Sequence, residues 1–345
     1  MLGGGRWFLG NFQALLNDEY LLSQGQALQN ATEYFTMSSK TPIFSLTGLS
    51  AATFTPFTPS GDLNLGVVES YAQHLLDHKV GSVFITGTTG EGLSLTFDER
   101  KQLAKSWAEV AAGTDLKVVA HVGSLNLAQA QELAVHAERV GVDAISIIPP
   151  FYYKPDSVET CVACCESVTR YAPKTPFYLY HIPSWTGVHF SAEAFLHQAQ
   201  KRIPTLCGIK YSHMDLMELQ VLLSEKNSCW DILFGCDEAL LSGLALGVRG
   251  AIGSTYNFAA PIYLKVMKAF ADGDLAQAQH WQLNSVRLIQ TLGKYRFLPA
   301  AKHMMDLVGI PCGPVRLPLR MLEPEEVVQL DKELEGLGAM DWLKA

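Results

Sequence analysis

The sequence predicts an α/β protein built as a (β/α)8 TIM barrel with additional C-terminal helices. Three observations lead there. Eight short apolar runs alternate with helix-length amphipathic segments. The runs are apolar at nearly every position, as parallel strands buried on both faces must be. The residues with unusual chemistry gather where those runs end, and only a closed barrel brings all such ends to one mouth. A chain of 345 residues, 48% hydrophobic and 17% charged, accommodates a barrel of about 250 residues plus extensions. An open doubly wound sheet is the runner-up.

In chain order the predicted strands are 49–54, 82–86, 117–122, 144–148, 177–182, 206–211, 232–235 and 250–253. Between them, 64–78, 98–112, 127–140 and 157–171 carry apolar residues three and four apart, the helical repeat. Asp98 reads as the opening cap of the second of these, and Gly81, Gly113 and Gly141 read as stops after three of them. From 275 to about 344 the pattern is helical again. The expected division is an N-terminal extension over 1–45, a catalytic barrel over 46–272 and a helical extension over 273–345.

Trp7 to Phe12 after Arg6 faintly resembles a signal peptide, but Asn11, Gln13, Asn17, Asp18 and Glu19 break the apolar core a signal needs. A net charge of −8 without a basic run argues against nucleic acid as a partner. No apolar stretch reaches the roughly 20 residues needed to span a bilayer. A cytoplasmic protein acting on a small molecule is expected. The 7 cysteines are odd in number, and Cys161, Cys164 and Cys165 lie at helical spacing with no further ligand at zinc-site spacing. They read as small core residues of a reducing compartment.

Lys210 ends an otherwise apolar strand. An ammonium loses several kcal/mol of hydration on burial, so a lysine there is either paired or held neutral as a nucleophile. Tyr180 ends the preceding strand, and neighbouring parallel strands lie about 4.8 Å apart. Thr88 and Thr89, in Gly87-Thr88-Thr89-Gly90-Glu91 after the second strand, offer hydroxyls and successive N–H groups suited to a carboxylate. His121 and His181 also end strands, and both read as hydrogen-bonded structural residues.

Taken together, that Gly/Thr loop, Pro150-Phe151-Tyr152-Tyr153, Tyr180-His181-Ile182-Pro183, Gly208-Ile209-Lys210 and Gly253-Ser254 resemble, in order and spacing, the superfamily of pyruvate-handling class I aldolases. That superfamily includes N-acetylneuraminate lyase and dihydrodipicolinate synthase. The resemblance runs over about 49–318. It implies that Lys210 forms a Schiff base, that Tyr180 transfers protons, and that Thr88 and Thr89 bind the pyruvate carboxylate. It further implies that Ser212, Gly235, Gly253 and Ser254 contact substrate and that Tyr152 lies near the mouth. No cofactor or metal is implied, and the assembly expected is a homotetramer. The run Pro311 to Pro318 resembles the tail that packs across the barrel in this family.

Two positions bear on the substrate. Dihydrodipicolinate synthases normally carry an arginine five residues after the catalytic tyrosine, and here that position is Trp185, which cannot fork onto a second carboxylate. Asp237 and Glu238 resemble the paired acids with which sialic acid lyases hold the sugar chain, although acids at that place also cap helices. The expected reaction is cleavage of N-acetylneuraminate to pyruvate and N-acetylmannosamine. The alternatives are an aldolase for a 2-keto-3-deoxy sugar acid or 4-hydroxy-2-oxoglutarate, or a noncatalytic sugar-acid-binding barrel.

Overall fold

A computed structural model of the chain describes residues 44–225 and 230–343. Eight parallel strands close into a barrel in sequence order: β1 (Gly48–Ala52), β2 (Ser82–Ile85), β3 (Lys117–His121), β4 (Ala144–Ile147), β5 (Phe177–His181), β6 (Leu206–Tyr211), β7 (Asp231–Phe234) and β8 (Gly250–Gly253), with β8 pairing back onto β1. The segment read as an extension over 1–45 lies outside the described residues except for Phe44 and Ser45. Phe44 packs edge-on against Tyr178, ring centroids 6.3 Å apart.

One buried cluster draws a side chain from every strand: Ala52, Phe84, Val119, Ala144, Tyr178 with Tyr180, Cys207, Leu233 and Ile252. Side chains from all eight strands meet only inside the barrel, so these residues point inward and along most strands their neighbours face the helices; on β6 the register shifts opposite Phe177–Tyr178, so that Gly208 and Lys210 pair with the inward Tyr178 and Tyr180. The inward set includes Phe84 and Tyr180, which decides what surrounds Lys210.

The helices between strands are α1 (Val68–Asp77), α2 (Phe97–Ala111), α3 (Leu127–Val140), α4 (Val158–Thr169), α5 (Ala192–Ala199), α6 (Leu216–Ser224) and α7 (Leu240–Leu246). Capping follows the local sequence, with Asn126, Ser157 and Ser191 each accepting backbone N–H bonds at the start of α3, α4 and α5. Asp98 is not the cap of α2. Thr96 is, in a reciprocal capping box with Glu99, because its hydroxyl reaches the third N–H of the helix while Glu99 reaches back. Gly141 ends α3 in the left-handed conformation and Gly113 turns left-handed just beyond α2, but the left-handed residue after α1 is Lys79, not Gly81. Cys161 and Cys165 fill the buried face of α4.

After β8 come α8 (Tyr256–Ala271), α9 (Leu275–Lys294), α10 (Phe297–Leu307) and α11 (Pro324–Leu337). The tail between α10 and α11 packs against the loop after β1, where the Phe57 N–H donates to the Cys312 carbonyl at 3.0 Å. Among the described residues, no helix is long and apolar enough to cross a membrane.

Candidate active site

Lys210 sits on β6, register-paired with Tyr180 on β5, and only 4% of it is exposed. Its Nζ lies 4.0 Å from the centroids of both the Phe84 and Tyr180 rings. This setting removes water from the amine, and burial pulls its pKa down to about 7, against the opposing pull of Asp237. Lowering of this kind makes a free amine available at neutral pH, which nucleophilic lysines require.

The Tyr180 hydroxyl is hydrogen-bonded to Thr88 Oγ1 at 3.2 Å and also to Ser212. Burial raises the phenol to about 12 in spite of those bonds, so it is protonated at neutral pH. Thr89 Oγ1 meets Ser254 Oγ at 2.6 Å. Hydroxyls from Tyr180 on β5 and from the loops after β2, β6 and β8 therefore gather at the strand ends where the Lys210 amine lies.

Asp237, after β7, is buried and accepts from the Thr255 N–H at 2.9 Å and the Thr255 hydroxyl at 2.6 Å. It spans to the next loop and does not cap the turn it begins. Burial pushes its carboxyl up to about 6, with the Thr255 bonds acting the other way. Two glycines leave room for these side chains. A Cβ at Gly253 would stand 1.9 Å from Asp237 Oδ1, and one at Gly235 would stand 2.0 Å from Ser212 Oγ.

The structure thus gathers Lys210, Tyr180, Thr88, Thr89, Ser212, Gly235, Asp237, Gly253 and Ser254. The other three candidates stand in solvent in the segments after strands: Tyr152 is 74% exposed beside Tyr153, Trp185 is 73% exposed on the short helix Pro183–Thr186, and Glu238 is exposed on the 3-10 turn Asp237–Ala239. Phe84 escaped the sequence reading, although its place on an inward-facing β2 position was the available signal. Thr255 escaped it too.

His121 is structural. Its Nε2 accepts the Ile148 N–H at 3.3 Å and its Nδ1 faces the Thr86 carbonyl at 3.2 Å, a pattern that sets the Nδ1–H tautomer. Burial lowers its pKa well below the usual value. His181 points away from Tyr180 and stacks on Tyr211 with centroids 5.5 Å apart. It is held by ring packing, and among the described residues no backbone hydrogen bond of its side chain accompanies the stack.

The site is thus a buried lysine and tyrosine side by side at the mouth of a closed parallel barrel. The chain belongs to the dihydrodipicolinate synthetase family, whose model matches residues 45–337. It is 40% identical over 301 residues to the N-acetylneuraminate lyase of Rattus norvegicus, covering 86% of this chain and 94% of that one. A solved structure of the N-acetylneuraminate lyase (sialic acid aldolase) from Aliivibrio salmonicida superposes with a TM-score of 0.84 at 36% identity, over 88% of this chain and 99% of that one. A Ruminococcus gnavus sialic acid aldolase, solved as a catalytic lysine mutant, matches with a TM-score of 0.81 at 27% identity, over 86% and 98% of the two chains.

Proposed function

We propose that the protein is a class I aldolase, a carbon–carbon lyase that reversibly cleaves N-acetylneuraminate to pyruvate and N-acetylmannosamine. The observation that carries this reading is the Lys210 amine lying 4.0 Å from the Tyr180 ring, at the strand ends where hydroxyls from three loops gather. The named relatives supply the substrate.

In the proposed mechanism the neutral Lys210 amine attacks the ketone of open-chain substrate, water leaves, and a protonated imine forms. Thr88 and Thr89 hold the carboxylate next to it. The imine accepts the electron pair of the bond between its α and β carbons as that bond breaks, and the hydroxyl on the β carbon loses its proton as the aldehyde of N-acetylmannosamine forms. Tyr180 is protonated at neutral pH, so it takes that proton while passing its own on, with the substrate carboxylate as the second acceptor. The released enamine is then protonated and hydrolysed to pyruvate and free Lys210. Asp237 and Glu238 hold the polyol chain, Ser212, Gly235, Gly253 and Ser254 line the path, and Tyr152 and Trp185 stand at the rim.

We take residues 46–272 as the catalytic barrel, 273–345 as a helical extension and 1–45 as an appendage to both. A cytoplasmic homotetramer is the proposed form. The exposed Met214, Met217 and Val221, 54, 80 and 43% open, make an apolar face at α6 that supports self-association. Light scattering of the purified chain checks this.

The test of the reaction is pyruvate release from N-acetylneuraminate, compared with release from 2-keto-3-deoxy sugar acids and 4-hydroxy-2-oxoglutarate. Faster release from N-acetylneuraminate is the expected result. Release only from the shorter acids would replace the substrate while keeping the chemistry.

A further inference from the structure

The loop that carries Thr88 and Thr89 is held in an unfavourable conformation. Thr86 and Glu91 at its two ends have φ of 55° and 52°, a region that non-glycine residues enter reluctantly. Between them the Glu91 N–H donates to the Thr88 carbonyl at 3.1 Å and the Gly92 N–H donates to the Gly87 carbonyl at 3.0 Å. Something outside the loop must hold it in this form.

The Glu91 side chain leads to that support. Its Oε1 lies 2.8 Å from the Nζ of Lys302, and each side chain is only 1% exposed. Its Oε2 accepts the Arg316 N–H at 2.8 Å. Lys302, on α10, also donates to the carbonyls of Pro314 at 2.6 Å and Thr55 at 3.1 Å, and the Thr55 hydroxyl donates to the Gly90 carbonyl at 2.6 Å. The helices after the barrel thus grip the loop from behind. From the front Thr88 reaches Tyr180 and Thr89 reaches Ser254.

We propose that Glu91 and Lys302 are a positioning pair for the carboxylate-binding loop, through which α10 sets where the Thr88 and Thr89 hydroxyls stand for the pyruvate carboxylate. The proposal rests on the aldolase reading. A fully buried ion pair is weak evidence for stability, because apolar residues of similar volume often do as well, and fixing the geometry of the loop is the role we assign to this one. A displacement of the loop by about 1 Å is enough to change binding by an order of magnitude or more.

The experiment measures condensation of pyruvate with N-acetylmannosamine by wild type, by Glu91→Gln/Lys302→Met, which removes both charges together, and by Lys302→Arg, which keeps the charge. The double variant is expected to raise KM for pyruvate roughly tenfold, with kcat and the KM for N-acetylmannosamine changing by less than about threefold. The arginine variant is expected to show a smaller rise confined to pyruvate. A folded double variant with an unchanged pyruvate KM overturns the proposal, as does an equal rise in both KM values accompanied by a comparable fall in kcat. If the double variant does not fold, the arginine variant decides by the same criterion. Borohydride trapping of pyruvate on wild-type Lys210 comes first, since its failure rejects the aldolase reading and not the loop geometry.

Discussion

Tyr180 and Lys210 face each other across the β5–β6 register, with the Lys210 amine over the Tyr180 ring at 4.0 Å from its centroid and over the Phe84 ring at the same distance. Adjacent strands place the proposed nucleophile and the proposed proton relay without any long loop to order. The same aromatic walls dry the amine. Position and reactivity therefore have one structural cause.

The pH dependence follows from that burial. The Lys210 pKa is lowered from 10.5 to about 7, so its neutral form grows as pH rises through about 7. The rate of imine formation with pyruvate is expected to climb across that range and level off above it. In Asp237→Asn the negative charge that favours the ammonium is gone, so the rising limb moves to lower pH. A limb near 10.5, or one that moves upward in the variant, contradicts the electrostatics. Stopped-flow pH profiles make the comparison.

Tyr180→Phe keeps a ring beside Lys210 and removes only the hydroxyl. Imine formation with pyruvate persists and remains trappable, while turnover falls by roughly 10²–10⁴-fold, the usual range for a lost acid–base group. Turnover within threefold of wild type would remove Tyr180 from the relay.

Gly253→Ala introduces a Cβ 1.9 Å from Asp237 Oδ1. Asp237 must swing away from Thr255, at a cost of about 1–3 kcal/mol from overpacking, and turnover falls at least roughly tenfold because the site loses its buried carboxylate. Thermal melts and initial rates together check this, and wild-type values for both would show that the contact is relieved without consequence.

Acid stability tests the tail. Glu99 on α2 is bonded to Arg316 and held down to about 2, against an ordinary value of 4.5. A depressed carboxyl contributes its stability in full above 4.5 and loses it as pH falls through about 2. The melting temperature of wild type should therefore drop over that interval more than that of Glu99→Gln. Parallel curves would mean the pair contributes nothing.

The strands were legible because parallel strands buried on both faces are apolar throughout. The spans 206–211 and 250–253 and the helix 127–140 coincide with those observed. The ends of other strands were read too far. Thr86, Val122, Ile148 and Ile182 have strand-like side chains, yet each lies past the last ladder pair, where the chain already turns into a loop over the core. The α2 cap was misassigned because Thr96 and Asp98 are both capping types, and only the reciprocal bond with Glu99 separates them. Lys210 and Tyr180 announced themselves as polar ends of apolar runs. Lys302 did not, since its partner Glu91 is distant in sequence and a single lysine on an apolar helix face looks like any snorkelling surface residue.

Lys210, the proposed nucleophile, should carry pyruvate covalently once the imine is reduced. Mass spectrometry of peptides from the intact chain, after borohydride reduction with pyruvate, reads it directly, with Lys210→Ala as the control. A reduced pyruvate adduct on the Lys210 peptide, absent from the variant, is the predicted result. A folded wild-type chain with no adduct, or one modified at another lysine, would contradict it.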